Sequence, residues 1–397
     1  MPRFVILGAG PGGLSFAHRL LQHGVTDFLV LEKEQEAGGL WRSAMVDGAP
    51  VDLSGGHILD VRRPAVVDFL QCFMPADEWN TFRRDSRIRI HGCEIGSPIE
   101  ANIWQLPEEI QQRYLNDIAE AGCNRGVPMP QRFVDWIVWK LGRGIAEDYM
   151  LPYNRKMFGD DLNQLGTYWL DKLPSVSYED TRRSCAERRP YAIQPGHTTF
   201  LYPKRHGGGE LWLRMAEALG KRLLLGTAAH TLDVSTRTVN GDIRADVIVN
   251  TVPWTSFERI DGLSDAGAAV PDRLRHTGID VDYVPEDDHT PAHWLYLPDP
   301  ALPEHRHLVR GNFIPGARGY WRETRIGRNT PAAPGAFRFS TEYAYPLNTI
   351  GKNEAMGIFL AELRGHAVHG LGRWGHWQHY NTDPVVEQAM ALADQLA

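Results

Sequence analysis

An α/β fold is predicted for this chain by three observations near its start. The apolar run Phe4-Val5-Ile6-Leu7 is closed by Gly8-Ala9-Gly10-Pro11-Gly12-Gly13. Leu14, Phe16, Ala17, Leu20 and Leu21 then recur at helical spacing. A second apolar run, Phe28-Leu29-Val30-Leu31, ends in Glu32, nineteen residues after Gly13. Strand, glycine turn, helix, strand and acid in that register make a Rossmann-like dinucleotide-binding unit.

Each part of the unit has a job. Gly8 allows the tight turn, Gly10 lets backbone approach a pyrophosphate and Gly13 lets the helix pack on the strand, with Gly12 in the same turn and the helix N-terminus facing the anion. Glu32 is placed to accept ribose hydroxyls. Two later features favour FAD over NAD(P). Gly38-Gly39-Leu40-Trp41-Arg42 gives a second glycine turn, with Gly39 and Arg42 flanking the pyrophosphate as in flavoproteins. The strand Ala245 to Asn250 stops at the small residue Thr251, similar to the strand that returns to the cofactor in FAD-dependent oxidases and mutases. Asp383, opening the closing helical stretch, completes the expected cofactor-binding set.

Composition bounds the rest. At 397 residues the chain calls for two or three domains of about 100–200 residues each, and a hydrophobic share of 43% excludes a disordered chain. Forty-two Lys and Arg against 49 Asp and Glu give a net charge of -7, so a nucleic acid partner is not expected. Cys72, Cys93, Cys123 and Cys185 are scattered, which suits a reducing compartment. The apolar run after Met1-Pro2-Arg3 is too short for a signal h-region or a span, so a cytoplasmic protein without a membrane partner is expected. The 16 histidines include close pairs such as His305 and His307, but none sits in a metal-binding frame, and no metal site is expected.

Helical patterns run over 62–74, 107–121 and 131–151, the last with an apolar stripe of Phe133, Trp136, Ile137, Leu141, Ile145 and Tyr149. A further helix is expected at 210–219 and strands at 222–225 and 246–250. Between Gly278 and Tyr345 short strand-like runs alternate with Pro and Gly, as in an antiparallel sheet. Asp383 to Leu396 closes the chain as a helix with Asn381 and Thr382 as cap candidates. The expected domains are a Rossmann-like FAD-binding domain from 1–60, 200–260 and 362–397, a helical insertion at 61–172, and an antiparallel sheet domain from 173–199 and 261–361.

Five segments in sequence order resemble the UDP-galactopyranose mutases, particularly the class best known from eukaryotes: Asp52-Leu53-Ser54-Gly55-Gly56-His57; Phe133 to Ile137 continuing to Pro152-Tyr153-Asn154; Tyr202-Pro203-Lys204 through Trp212; Trp294-Leu295-Tyr296-Leu297-Pro298 through Arg306; and Gly372-Arg373-Trp374-Gly375-His376-Trp377. The resemblance implies a redox-neutral isomerase. In that family the N5 of reduced FAD attacks the anomeric carbon of a nucleotide sugar and displaces its diphosphate; the ring opens through a flavin iminium and recloses, interconverting pyranose and furanose. An external reductant such as NAD(P)H is implied with it.

The resemblance also assigns roles. His57 and Arg373 fall on flavin-contacting positions, with Gly55 and Gly56 in the same loop. Arg306 and Tyr345 fall on positions gripping the diphosphate, and together with His57 and Arg373 they form the expected catalytic set. Asn154, Trp294 and Tyr296 fall near sugar and phosphates. Several positions depart from the family. Leu173 replaces a second diphosphate arginine, with Lys172 beside it; His379 replaces a phosphate-binding tyrosine; Glu100 replaces a base-binding amide; His197 replaces a sugar-contacting asparagine. The flavin half is therefore expected to be kept and the substrate half altered, with a nucleotide sugar, a nucleoside or a glycosyl phosphate as alternatives. An FAD-dependent oxidase or dehydrogenase of the amine-oxidase type is the rival reading, and a noncatalytic FAD-binding scaffold a second.

Overall fold

Phe4, Val5, Ile6 and Leu7 are all fully buried, the signature of a central parallel strand covered on both faces. In the computed structural model, which describes residues 1–397 except 171–175, 192–197, 329–330 and 333–334, this strand lies third in a five-stranded parallel sheet. The order is Leu223–Leu224, Phe28–Leu31, Phe4–Leu7, Val247–Asn250 and Val368–Gly370, with Phe4 opposite both Phe28 and Val247. Helix Pro11–Gln22 starts with Pro at its first turn, where a missing N–H costs nothing, and packs against helices Gly209–Leu219 and Thr382–Leu396. This is the predicted Rossmann-like α/β architecture.

A second sheet has seven strands. Its order is Arg338–Pro346, His276–Val284, Tyr320–Arg325, Arg306–Val309, Trp294–Tyr296, Ser86–Ile90 and Cys93–Gly96. All its pairings are antiparallel except that of Trp294–Tyr296 with Ser86–Ile90.

The structure departs from the sequence reading in three places. The stretch 61–172, expected to be helical, contains the hairpin Ser86–Gly96, whose Ile88, Ile90 and Ile95 are buried and whose turn residues His91 and Gly92 both have positive φ. It also contains strand Trp79–Arg83, paired with Thr199–Pro203. The helix expected over 131–151 breaks at Gly142 (φ 75, ψ 172) and passes through a π turn at Ala146–Met150 before resuming as Leu151–Phe158. The cause is close packing on a neighbouring helix: a Cβ on Gly142 would lie 2.5 Å from the Asp117 carbonyl oxygen, and Gly144 N–H donates to Asp117 Oδ2 at 2.7 Å. Helices Tyr178–Glu187 and Lys352–Gly365 stand where sheet was expected. At the closing helix Asn381 occupies the N-cap without a side-chain cap bond, while Thr382 Oγ1 accepts Trp41 Nε1–H at 2.6 Å. Among the described residues no helix is long and apolar enough to cross a membrane, and no group of three or more His, Cys, Asp or Glu side chains could hold a metal ion.

Candidate active site

A cavity of about 810 Å3 opens at the carboxyl ends of the parallel strands, where ligands of such sheets sit. Its nucleotide end is lined by Gly8, Gly10, Gly12 and Glu32, with Gly39, Arg42 and Thr251 facing them. A Cβ on Gly39 would meet Gly10 Cα at 3.2 Å, so two glycine turns face each other with no side chain between them, the opening a pyrophosphate requires. Glu32 is held ready by the backbone: Oε2 accepts Ala9 N–H at 2.8 Å and Oε1 accepts Glu34 N–H at 3.0 Å. The residues present fit a flavin dinucleotide.

Other members of the expected cofactor set serve the frame. Gly13 does not line the cavity; a Cβ there would lie 2.0 Å from the Gly8 carbonyl oxygen, so it is a packing glycine. Thr251 turns its hydroxyl onto the Leu7 carbonyl at 2.7 Å. Asp383 is a correction: its carboxylate is buried and pairs with the Arg63 guanidinium, outside the lining of the cavity.

The far end of the cavity is walled by His57 and Arg373. His57 Nδ1 donates to the Gly55 carbonyl at 2.8 Å, which fixes the neutral tautomer, and its ring stands 5.6 Å from that of Trp41. Burial, followed by the nearby Arg373 charge, lowers the imidazole to about 4. Arg373 is held by carbonyls: Nε and Nη2 donate to Tyr380 O at 3.1 and 2.8 Å, and Nη1 to Ala344 O at 3.0 Å. No carboxylate pairs with it among the described residues, and burial brings its guanidinium down to about 10.

Arg306, Tyr345, His379 and Tyr296 do not line this cavity; they cluster on and beside the seven-stranded sheet. Arg306 Nη2 lies 3.4 Å from the Tyr345 hydroxyl, and the His379 ring meets that of Tyr345 at 5.1 Å. Tyr296, held by Arg84 Nη2 at 2.8 Å, meets the ring of Tyr153 at 5.6 Å, and Tyr153 meets that of Tyr149 at 5.8 Å. Burial pushes the Tyr149 and Tyr153 hydroxyls well up, with Arg306 opposing it at Tyr153. Sequence reasoning missed Tyr149, Tyr153 and the fully buried Glu323, whose Oε2 accepts Arg306 Nε and Nη2 at 3.0 and 2.5 Å. The alternating strand Tyr-Trp-Arg-Glu-Thr-Arg around Glu323 gives no local sign of that pairing.

Two expected substrate contacts are placed elsewhere. Trp294 is core: it is 2% exposed and packs its ring 5.3 Å from Phe200 and 5.0 Å from Phe313. Asn154 is buried and donates to the carbonyl of Met150, one turn back, at 2.7 Å. Gly55 and Gly56 lie behind the cavity wall against Glu323 and Leu308. Lys172, Leu173 and His197 lie outside the described residues.

The fold and the cavity define a flavin-dependent enzyme architecture with an FAD-type cofactor site, and a model of the NAD(P)-binding Rossmann-like domain matches residues 6–73. The whole chain superposes on the crystal structure of reduced UDP-galactopyranose mutase with a TM-score of 0.91 and 25% identity, covering 100% of this chain and 95% of that one. Wild-type putrescine oxidase bound to putrescine shares the fold more distantly, with a TM-score of 0.61 and 14% identity over 100% of this chain and 98% of that one. A Baeyer-Villiger monooxygenase of Streptomyces coelicolor is 34% identical over 90 residues, 22% of this chain and 15% of that protein. The chain spans 15 to 26% of the length of the curated relatives it matches.

Proposed function

We propose that the chain is a reduced-FAD-dependent, redox-neutral mutase that interconverts pyranose and furanose forms of a glycosyl substrate with an anionic leaving group. The observation that carries this reading is the half-buried Arg373 guanidinium in the cavity wall, bound to carbonyls with no carboxylate partner among the described residues, one of those carbonyls being that of Ala344, next to the Tyr345 whose hydroxyl lies 3.4 Å from Arg306. Reduced flavin, when bound, supplies a nucleophile and recovers its electron pair, so nothing is oxidised.

The chain's own residues provide the rest. Arg373 offers positive charge to an anionic reduced cofactor. Neutral His57, its Nδ1 proton committed to Gly55, presents Nε2 as an acceptor and adds no charge. Arg306, Tyr345 and His379 form a polar grip suited to a phosphate group, which has to be kept in place between departure and return. The phenols of Tyr153 and Tyr296 flank that grip and suit the hydroxyls of a sugar. The likeness to reduced UDP-galactopyranose mutase supports the reading, while the altered substrate positions direct the search to other nucleotide sugars, nucleosides and glycosyl phosphates.

The test is a panel of such substrates offered to dithionite-reduced protein, with products separated by mass and ring form. Isomers of unchanged mass are expected. Products differing by two hydrogens or one oxygen, or steady oxygen uptake with an amine or alcohol, would move the protein to the amine-oxidase type.

A further inference from the structure

Glu323 stands where the two halves of the site meet. It is fully buried in strand Tyr320–Arg325. One oxygen, Oε2, accepts both Nε and Nη2 of Arg306 at 3.0 and 2.5 Å, and His305 Nε2 lies 3.4 Å from it. The other, Oε1, accepts Gly56 N–H at 3.3 Å, and a Cβ on Gly55 would come within 2.6 Å of it. One carboxylate therefore shapes the turn that presents His57 and also orients the guanidinium that grips the ligand. Burial alone would raise its pKa, yet Arg306, with His305, holds it well below the usual carboxylate range.

A guanidinium has five N–H donors in a planar fork. Glu323 occupies the Nε and Nη2 edge of Arg306, turning that edge away from an incoming anion, and neutralises most of the charge. Arg373 then stands beside the flavin cavity with no carboxylate partner among the described residues. Resting on the reading of Arg306 as an anion grip, we infer that Glu323 is a positioning residue that rations the charge of Arg306. It keeps the remaining donor edge oriented toward the leaving group, and it keeps anion affinity low enough for release after turnover. A scaffold role predicts weaker anion binding when Glu323 is altered; rationing predicts tighter binding with slower chemistry.

The experiment uses the flavin-loaded full chain and the variant Glu323→Gln. Inorganic pyrophosphate is titrated calorimetrically, and the flavin midpoint potential is measured by dye-equilibrated reduction, both without substrate. The expected result is a pyrophosphate Kd lower by about tenfold, a raised flavin potential, and a lower kcat on whichever substrate the panel identifies. A Kd unchanged or higher, with an unmoved potential, overturns the inference. Should Glu323→Gln fail to hold flavin, the double variant Arg306→Gln, Glu323→Gln removes both charges together; it should regain flavin with a potential like the unaltered protein, and a double variant as defective as the single one reduces Glu323 to a scaffold. The two readings fail separately. If Kd and potential move as stated but no sugar isomer forms, the mutase reading falls and this one stands; if isomers form while Glu323→Gln changes neither quantity, the reverse holds.

Discussion

The two ends of this site are built from different materials. The cofactor end is mostly main chain: glycines at 8, 10, 12 and 39 leave room, and the carboxylate that matters, Glu32, is fixed by two backbone N–H groups. The proposed anion end is made of side chains, with Arg306, Glu323, Tyr345 and His379 brought from separate segments and held by one another. A backbone-built site tolerates little change in shape but can keep its position when distant residues vary. A side-chain-built site can be retuned residue by residue while the frame stays intact, which is how the expected kept flavin half and altered substrate half would share one fold.

Five measurements would break or sharpen that contrast. The largest effects belong to Gly13→Val and Arg306→Ala; the first forces a side chain into the 2.0 Å gap before the Gly8 carbonyl. A loss of about 3 kcal/mol or more is expected, and flavin-replete protein with an unchanged Tm would refute the packing role. Arg306→Ala should cost about 3–5 kcal/mol in urea unfolding, because it leaves the Glu323 carboxylate buried without its guanidinium; Arg306→Lys should recover part of this. Glu32→Gln should weaken FAD retention by about 1.5–3 kcal/mol, the worth of hydrogen bonds to a charged group, while leaving the pyrophosphate Kd alone. If both affinities fall together, the two ends are not separable.

The fourth concerns pH. The folded pKa of His57, about 4, lies below its ordinary 6.5, so the contribution of the neutral ring to stability is complete above 6.5 and is lost as pH falls through 4. His57→Asn should flatten the Tm profile over that window, and the bound flavin spectrum should show no imidazole titration between about pH 5 and 8. The smallest effect is expected from Tyr345→Phe, which removes the hydroxyl 3.4 Å from Arg306. Pyrophosphate binding should weaken by about 1 kcal/mol with flavin retained; an equal loss of flavin would place Tyr345 at the cofactor end.

The same contrast explains what could be read in advance. The glycine turns and Glu32 were legible because the chemistry that requires them is local, within one strand, turn, helix and strand. Glu323 was not, because it is one of several charges alternating along an ordinary strand and its partner Arg306 lies on the adjacent one. The motif around Trp294 marks it as a ligand contact, yet its neighbours Phe200 and Phe313 come from distant segments and enclose it in the core. The hairpin Ser86–Gly96 did carry a local signal, Ser-Arg-Ile-Arg-Ile before His91-Gly92, which the surrounding helical patterns overshadowed. Gly142, in contrast, breaks its helix because of Asp117, a neighbour that no periodicity within that helix reveals.

The five-stranded sheet has a consequence for how the protein comes into being. Strand Phe4–Leu7 is flanked by residues 28–31 and 247–250, and residues 368–370 complete the edge. Helix Pro11–Gln22 is tied down by Arg19 to Asp394 at 2.5 Å, and Arg3 Nη2 reaches the Leu396 carbonyl at 2.7 Å. During synthesis, the dinucleotide motif at residues 8–13 therefore emerges hundreds of residues before the strands and the helix that complete its sheet. A nascent chain arrested after residue 250 would display the glycine turn without its closing helix, and capture of FAD should follow translation of residues 368–396 rather than accompany that of the motif itself.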